Sequence, residues 1–290
     1  MGASFFLATA IALTAAQSAA QSPAATPGPP AVAVAPLPSD AEMERFLREA
    51  NIVKTKGTGK GVTDSVHATL SDGKLTHDAH IQTIDEQKRE FRTAMGVEFD
   101  FRDSWSYNVA AYKIDRLLGL NMVPVSISRS HRSTPAAWTW WIDDVLMDEM
   151  DKIKKKIEPP DRAYYSRQRV MMYIFDELIS NTDRNQGNIV YTKDWRLWLI
   201  DHTRAFRKNT ALKTPARLTR CDRQVFERMK ALDRDTLKRE VGKELDDGQI
   251  KSLLARRDAI VKKLESIGPT ALFDRTAPPI TPPASGLTIH

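Results

Sequence analysis

The sequence predicts an α+β protein in which a sheet-rich lobe packs on a mostly helical lobe. Three observations carry this. Apolar and polar positions alternate between Val66 and Ile84 around an Asp72-Gly73 turn, as half-buried strands require. Apolar residues recur at helical spacing from Val170 to Ile179 and again from Ile250 to Leu264. The two patterns are segregated along the chain instead of alternating, which separates this fold class from βαβ architectures.

The elements follow in order. Around Asp72-Gly73, the runs near Val66–Leu70 and Leu75–Ile84 read as a β-hairpin and its continuation. In SWSYNVAAYKIDRLLGLNMVP, Ser104 is the expected N-cap, and Tyr107, Ala111, Ile114 and Leu118 share one helical face. Gly119 ends that helix and Pro124 prevents its resumption. VPVSISRS and AAWTWWIDDV read as two strands, and residues 149–162 as a solvent-facing helix closed by Pro159-Pro160. SRQRVMMYIFDELIS is a helix buried on one side. Helices resume from about Asp222 to Ile267 and stop at Gly268-Pro269.

Residues 1–20 carry no charged side chain, hold an apolar stretch from Phe5 to about Leu13, and present Ser18 and Ala20 where a signal peptidase cuts. The expectation is therefore an exported protein, periplasmic or extracellular, with no transmembrane span in the mature chain, because the apolar run is too short for a bilayer. Residues 21–40 are an Ala/Pro-rich linker, 41–148 the sheet-rich N-lobe, 149–275 the helical C-lobe, and 276–290 a Pro-rich tail expected to be disordered. Cys221 is the single cysteine, which excludes an intramolecular disulfide and a multi-Cys zinc cluster. A net charge of +6 favours anionic partners, but no basic tract interleaved with aromatics marks a nucleic-acid surface.

The richest stretch is 180–206, SNTDRNQGNIVYTKDWRLWLIDHTRAF. Asp183 begins a loop, Asn188 lies five residues on, and Asp201 thirteen beyond that. IVY and WRLWLI are strand-like, with Lys193-Asp194 as the turn between them. A hairpin returns the chain, so Asn188 and Asp201 become neighbours at its open end, with Asp183 one loop away. Hard oxygen donors of this kind suit Mg²⁺ completed by phosphate oxygens, while an unchelated Asp can orient a hydroxyl and take its proton.

DRNQGN…LIDHT resembles the catalytic and metal-binding motifs of atypical kinases, a group that includes phosphatidylinositol kinases, HipA-type bacterial kinases and the secretory-pathway casein kinases. With FRDSWSYNVAAYKIDRLLGLNMVP, the likeness covers most of residues 57–265. It implies a two-lobed protein-kinase-like fold and phosphoryl transfer from ATP or another nucleoside triphosphate, with Mg²⁺ or Mn²⁺, to a hydroxyl on a protein or small molecule. By the same resemblance Asp183 is the catalytic base and Asn188 and Asp201 are the metal ligands. GTGKG, with Gly57, Gly59, Lys60 and Gly61, is the loop over the nucleotide phosphates.

The sequence departs from the kinase pattern at two positions. Gln82 stands where these kinases carry a phosphate-binding Lys, and Asn108 where its Glu partner is expected; a neutral Gln–Asn pair can still hydrogen-bond. Positive charge would then come from Lys54, Lys56 or Lys60. This lesion supports an alternative reading as a pseudokinase, a nucleotide-binding or scaffolding module, and the net charge a third, a basic envelope protein binding anionic polymers. His202 and Arg184 read as structural, the tryptophans as core or lobe interface, and His67, His77 and His80 as no zinc site.

Overall fold

The computed structural model describes residues 1, 38–57, 65–93, 96–181 and 183–275. The expected leader (beyond Met1) and tail, nearly all of the linker, and Gly59, Lys60 and Gly61 lie outside the described residues.

Helix α1 (Asp40–Glu49) opens the folded unit with a capping box: the Glu42 carboxylate accepts from the Ser39 N–H at 2.8 Å, and Ser39 Oγ accepts from the Glu42 N–H. Strands β1 (Asn51–Gly57), β2 (Ser65–Ser71) and β3 (Thr76–Gln82) follow. Next comes a separate two-stranded ribbon, β4 (Asp85–Thr93) and β5 (Gly96–Ser104), and then helix α2 (Ser106–Leu118). Strands β6 (Ser126–His131) and β7 (Thr134–Trp140) complete an antiparallel sheet of order β1-β2-β3-β7-β6.

This sheet sorts its side chains by alternation. Ala68, Leu70, Ala79, Ile81 and Trp138 are buried in the core together with Phe46 and Leu47 of α1 and Ala111, Ile114 and Leu118 of α2. The alternate positions pair Ser65 with Gln82 and His67 with His80, and Thr139 pairs with His80. Because successive strand residues point to opposite faces, the second face is polar, and it roofs the cleft described below.

Helix α2 holds its place through its ends. Gly119 closes it in the left-handed conformation at φ 66°, where a Cβ would be strained and would collide with Arg228. Asp115, fully buried, accepts the N–H groups of Met122 and Val123 at 2.9 and 3.3 Å and so fixes the descent into β6. The expected N-cap at Ser104 is not what forms: the N-cap is Trp105, without a side-chain cap. Ser104 remains in β5 because its N–H is committed to the Thr203 carbonyl at 2.8 Å.

Strand β8 (Val145–Asp148) leads into α3 (Glu149–Lys155) and the long helix α4 (Arg162–Ile179), whose N-terminal amides are accepted by Asp161. Strands β9 (Ile189–Thr192) and β10 (Leu197–Leu199) form the second hairpin, and β8 adds to it in the order β10-β9-β8. The remainder is a short parallel pair, β11 (Cys221–Asp222) with β12 (Leu272–Phe273), around helices α5 (Arg223–Ala231), α6 (Arg234–Val241) and α7 (Asp247–Ile267). Helix α7 packs against α4, α5 and α6. Its Gln249 donates to the Tyr107 hydroxyl of α2 at 2.6 Å and to the Phe206 carbonyl at 3.1 Å, which ties the helical half to the sheet half.

Candidate active site

The loop after α4 is built by its own side chains. Helix α4 ends at Ser180 in the left-handed conformation, and the Asn181 amide donates back to the Asp176 carboxylate at 3.2 Å. The Asn181 side-chain oxygen accepts the Asp183 N–H at 3.1 Å, and that of Asn185 accepts the Asn188 N–H at 3.2 Å, where a single 3-10 turn (Gln186–Asn188) enters β9. These short polar caps replace helical hydrogen bonds, which is why Asn and Asp crowd the segment. The Asn188 side chain donates to the Asp183 carbonyl at 3.4 Å, and the Ile200 N–H to the Asn188 carbonyl at 3.2 Å. With Ile189 opposite Leu199 in the ladder, the hairpin's open end sets Asn188 beside Ile200 and the adjoining Asp201.

Arg184 locks this corner. Its guanidinium, side chain 9% exposed, donates to Asp176 at 2.9 and 3.0 Å, to the Asn188 carbonyl at 3.0 Å, to the Ile200 carbonyl at 2.8 Å, and lies 2.9 Å from His202 Nε2. One planar cation therefore joins helix, loop and hairpin, a structural role with its donors committed to protein. Burial, with the Arg184 charge beside it, pushes the pKa of His202 well below its ordinary range, so the ring is neutral.

Gln82 and Asn108 meet within the sheet lobe, and Asn108 reaches across to the helical one. Asn108 Nδ2 donates to Gln82 Oε1 at 2.7 Å, and Asn108 Oδ1 accepts the His202 N–H at 2.8 Å. The buried pair thus reaches the residue after Asp201 and holds its backbone. Asp201 itself has φ 54°, a conformation Asp tolerates better than most residues, and its Oδ1 accepts from the Thr203 hydroxyl at 3.1 Å.

Asp103 of β5, which the sequence reading passed over, joins Asp183 and Asp201. Enclosure by protein raises the Asp201 pKa, the Thr203 hydrogen bonds oppose this, and Asp103 adds to it; yet Asp201 keeps an open face to solvent in the cleft. The Asp183 pKa is likewise raised, first by burial, against the opposing pull of Arg204, and further by Asp201 and Asp103. Asp103 is 7% exposed, and its Oδ1 has no hydrogen-bond partner among the described residues. The Asp103 charge raises the pKa of both neighbours and its Oδ1 is an orphaned buried oxygen, so these carboxylates form a donor set that fits a hard divalent cation. Among the described residues no three His, Cys, Asp or Glu side chains converge to ligate an ion unaided, so Asn188, phosphate oxygens and water would have to complete it.

Between the lobes lies a cavity of about 580 Å³ walled by Gln82, Asn108, Asn188, Asp201 and His202, with Trp141, Val145, Leu146 and Met147 at its connecting edge and Val190 and Leu199 below. A larger groove of about 1130 Å³ opens on the other side of the loop, between the ribbon and the helical half. No Lys or Arg appears among the described residues walling the smaller cavity. Lys54, offered by the sequence as a phosphate-binding cation, instead lines a surface depression with Arg129 and Arg132. Gly57 closes β1 opposite Val66, and the rest of GTGKG lies outside the described residues. The histidines are accounted for singly: His67 meets Asp78 at 2.7 Å, His77 meets Asp143 at 2.9 Å, and burial pushes the pKa of His80 down to about 4.

No family model and no curated protein matches the chain. Solved structures do. The structure of hydra Fam20 with sugar superposes with a TM-score of 0.59 at 16% identity, over 82% of this chain and 94% of that one. The Golgi casein kinase superposes at 0.56 with 13% identity, covering 80% and 78% of the two chains. Its form with Mn/ADP bound gives 0.55 at 12% identity over 80% and 76%. The fold is a two-lobed, protein-kinase-like one. In that fold Gln82, Asn108, Asn188 and Asp201 face the interlobe cavity, and Asp183 sits at the mouth of the loop beside it. Asp103 and Arg204 escaped the sequence reading although both lie in quoted motifs, FRDSW and DHTRAF. What marks them is their mutual contact across about a hundred residues, which no local pattern encodes.

Two outcomes follow from this geometry. Asn108→Leu strands the His202 N–H and removes the donor to Gln82, so urea unfolding should show a loss of about 1–3 kcal/mol; unchanged stability would contradict the bridge. His80 has a folded pKa depressed to about 4 from an ordinary 6.5, so the unfolded chain binds a proton that the folded one refuses. Stability from this group is present above pH 6.5 and is lost as pH falls toward 4, whereas Asp183 and Asp201, with raised values, act in the opposite sense. The readout is therefore a difference: His80→Asn should flatten the acid-side decline of the melting temperature relative to wild type, and parallel curves would contradict it.

Proposed function

We propose that this chain is a phosphotransferase that moves the γ-phosphoryl group of a nucleoside triphosphate to a hydroxyl acceptor, a protein in the first instance, and that it works as an exported protein. The observation that carries the reading is the meeting of Asn188 and Asp201 at the open end of one hairpin, with Asp183 one hydrogen bond away and the whole held from the sheet lobe by Asn108. The kinase-like fold of the chain supports it.

The residues divide the work. The interlobe cavity admits the nucleotide, with the apolar edge formed by Trp141, Val145 and Leu146 suited to a base. Asn188 and Asp201 would hold Mg²⁺ or Mn²⁺, which when bound neutralises phosphate charge. Asp183 accepts a hydrogen bond from the acceptor hydroxyl and takes its proton as the oxygen bonds to phosphorus and the bond to the nucleoside diphosphate breaks. Arg184 and Asn108 fix the backbone on which Asp183, Asn188 and Asp201 sit. The catalysis is positioning and charge stabilisation, for which rigid supports matter more than reactive groups.

A second reading has its own observation. The Gln82–Asn108 pair is neutral, and the described cavity wall carries no Lys or Arg, as a nucleotide-binding or scaffolding pseudokinase would have it.

Transfer of labelled γ-phosphate from a nucleotide panel, to a generic protein acceptor or to the chain itself, separates the two. Wild type should transfer label with Mg²⁺ or Mn²⁺, and Asp201→Ala should reduce the rate at least about a hundredfold. A wild type that shows a nucleotide-dependent melting shift but transfers nothing favours the scaffold. An Asp201→Ala protein with full transfer defeats the site assignment.

A further inference from the structure

Phosphoryl transfer accumulates negative charge on the migrating group, and a kinase site answers it with cations. Here Gln82 supplies none, and the described wall of the nucleotide cavity contains no Lys or Arg. Arg184 is committed to Asp176 and to backbone carbonyls. Among the described residues, a second cation beside the loop is Arg204, three residues beyond Asp201.

Its surroundings form a built mount. Nε lies 3.2 Å from Asp103 Oδ2, and Asp103 is buried in β5. The guanidinium carbon stands 5.1 Å over the ring of Phe101 and 5.7 Å over that of Phe91, two rings that stack on each other at 4.1 Å. Nη1 reaches Asp183 Oδ2 at 3.5 Å. One edge is thus anchored, one face rests on aromatics, Nη1 meets Asp183, and with the side chain 31% exposed solvent reaches the guanidinium. Fixing a guanidinium this way removes the entropy a free Arg would lose on gripping an anion. The mount also gives the β4–β5 ribbon a purpose, since that ribbon contributes Phe91, Phe101 and Asp103 while, among the described residues, its strands pair only with each other.

We propose that Arg204 is the phosphate-contacting cation of this site, holding Asp183 in the resting protein and gripping the terminal phosphoryl oxygens of a bound nucleoside triphosphate. The inference rests on the phosphotransferase reading and adds to it the source of positive charge. The Asp183 contact at 3.5 Å is long and partly exposed, so it exchanges readily for a phosphate oxygen, which the planar fork of Arg fits better. Release of Asp183 by that exchange leaves its carboxylate to the acceptor hydroxyl. Triphosphate binding and exposure of the base are then one event.

The test is calorimetric titration of the full chain, with Mn²⁺, by ADP and by the non-hydrolysable β,γ-imido analogue of ATP. Wild type should prefer the triphosphate analogue. Arg204→Gln should weaken that analogue about tenfold, the effect of one charge-assisted hydrogen bond, and leave ADP within about twofold. Arg204→Lys should fall between, and Asp103→Asn, which loosens the mount, should move the same ratio in the same direction. A purely structural role for Arg204 would weaken both nucleotides alike, and that result, or an unchanged ratio, overturns the inference. Should Arg204→Gln fail to show a cooperative melt, the Lys and Asp103→Asn ratios decide. Wild type that binds neither nucleotide defeats the phosphotransferase reading itself, a result distinct from binding with an insensitive ratio.

Discussion

The site hangs on one amide. Asn108 stands in α2, donates to Gln82 in β3 and accepts the N–H of His202 next to Asp201, so a single side chain spans sheet, helix and the Asp201 loop. An Asn can do this because it carries a donor and an acceptor on the same plane, whereas a carboxylate could only accept. The bridge is neutral, so this link needs no charged partner, whereas Arg204–Asp103 at 3.2 Å and Lys113–Glu244 at 2.7 Å join the same halves by ion pairs. Buried as it is, either half left unmade would cost more than the bond contributes, which makes the arrangement all-or-nothing.

From that bridge the order spreads outward. His202 is held on its backbone side by Asn108 and on its ring side by Arg184, and Arg184 in turn fixes the carbonyls of Asn188 and Ile200. Asp201, between them, sits in a left-handed conformation that its neighbours over-determine. Ser104 and Phe206 extend the frame, one through the Thr203 carbonyl and the other through an N–H donated to Ile179 at 2.6 Å. The carboxylates of Asp103, Asp183 and Asp201 are thus brought together by contacts made elsewhere and not by mutual attraction. Burial raises the pKa values of Asp183 and Asp201 and the charge of Asp103 adds to both, a cost that a cation would relieve.

Much of this was legible in the chain. The stop at Gly119, the one-sided helix ending at Ile179, the hairpin between Asn188 and Asp201, and the stop at Gly268 each follow from local rules of capping and periodicity, and the structure has them. The α+β segregation was equally plain. The β4–β5 ribbon was not, because DEQKREFRT offers charge in place of alternation and its one aromatic, Phe91, is only half-buried. Nor was the turn of the β6–β7 hairpin, where Arg132 and Ser133 both take positive φ, at 50° and 68°, without the Asn or Gly that usually signals it. Within the site, residues joined by short spacing could be read, whereas Asp103 and Arg204, or Gln249 and Tyr107, depend on contacts that only the fold creates.

The chain therefore combines a kinase-like frame with an unusual distribution of charge among the described residues, neutral at Gln82 and Asn108 and cationic at Arg204 beyond Asp201. On the proposed reading, Asn188 and Asp201 hold a divalent ion together with a nucleotide's phosphates. Electron paramagnetic resonance of Mn²⁺ titrated into the protein, with and without ATP, reads this directly. The account predicts that ATP draws Mn²⁺ into an immobilised ternary complex in wild type and that Asp201→Asn returns the spectrum to that of Mn²⁺–ATP in solution. Equal immobilisation by both proteins, or by neither, would contradict it.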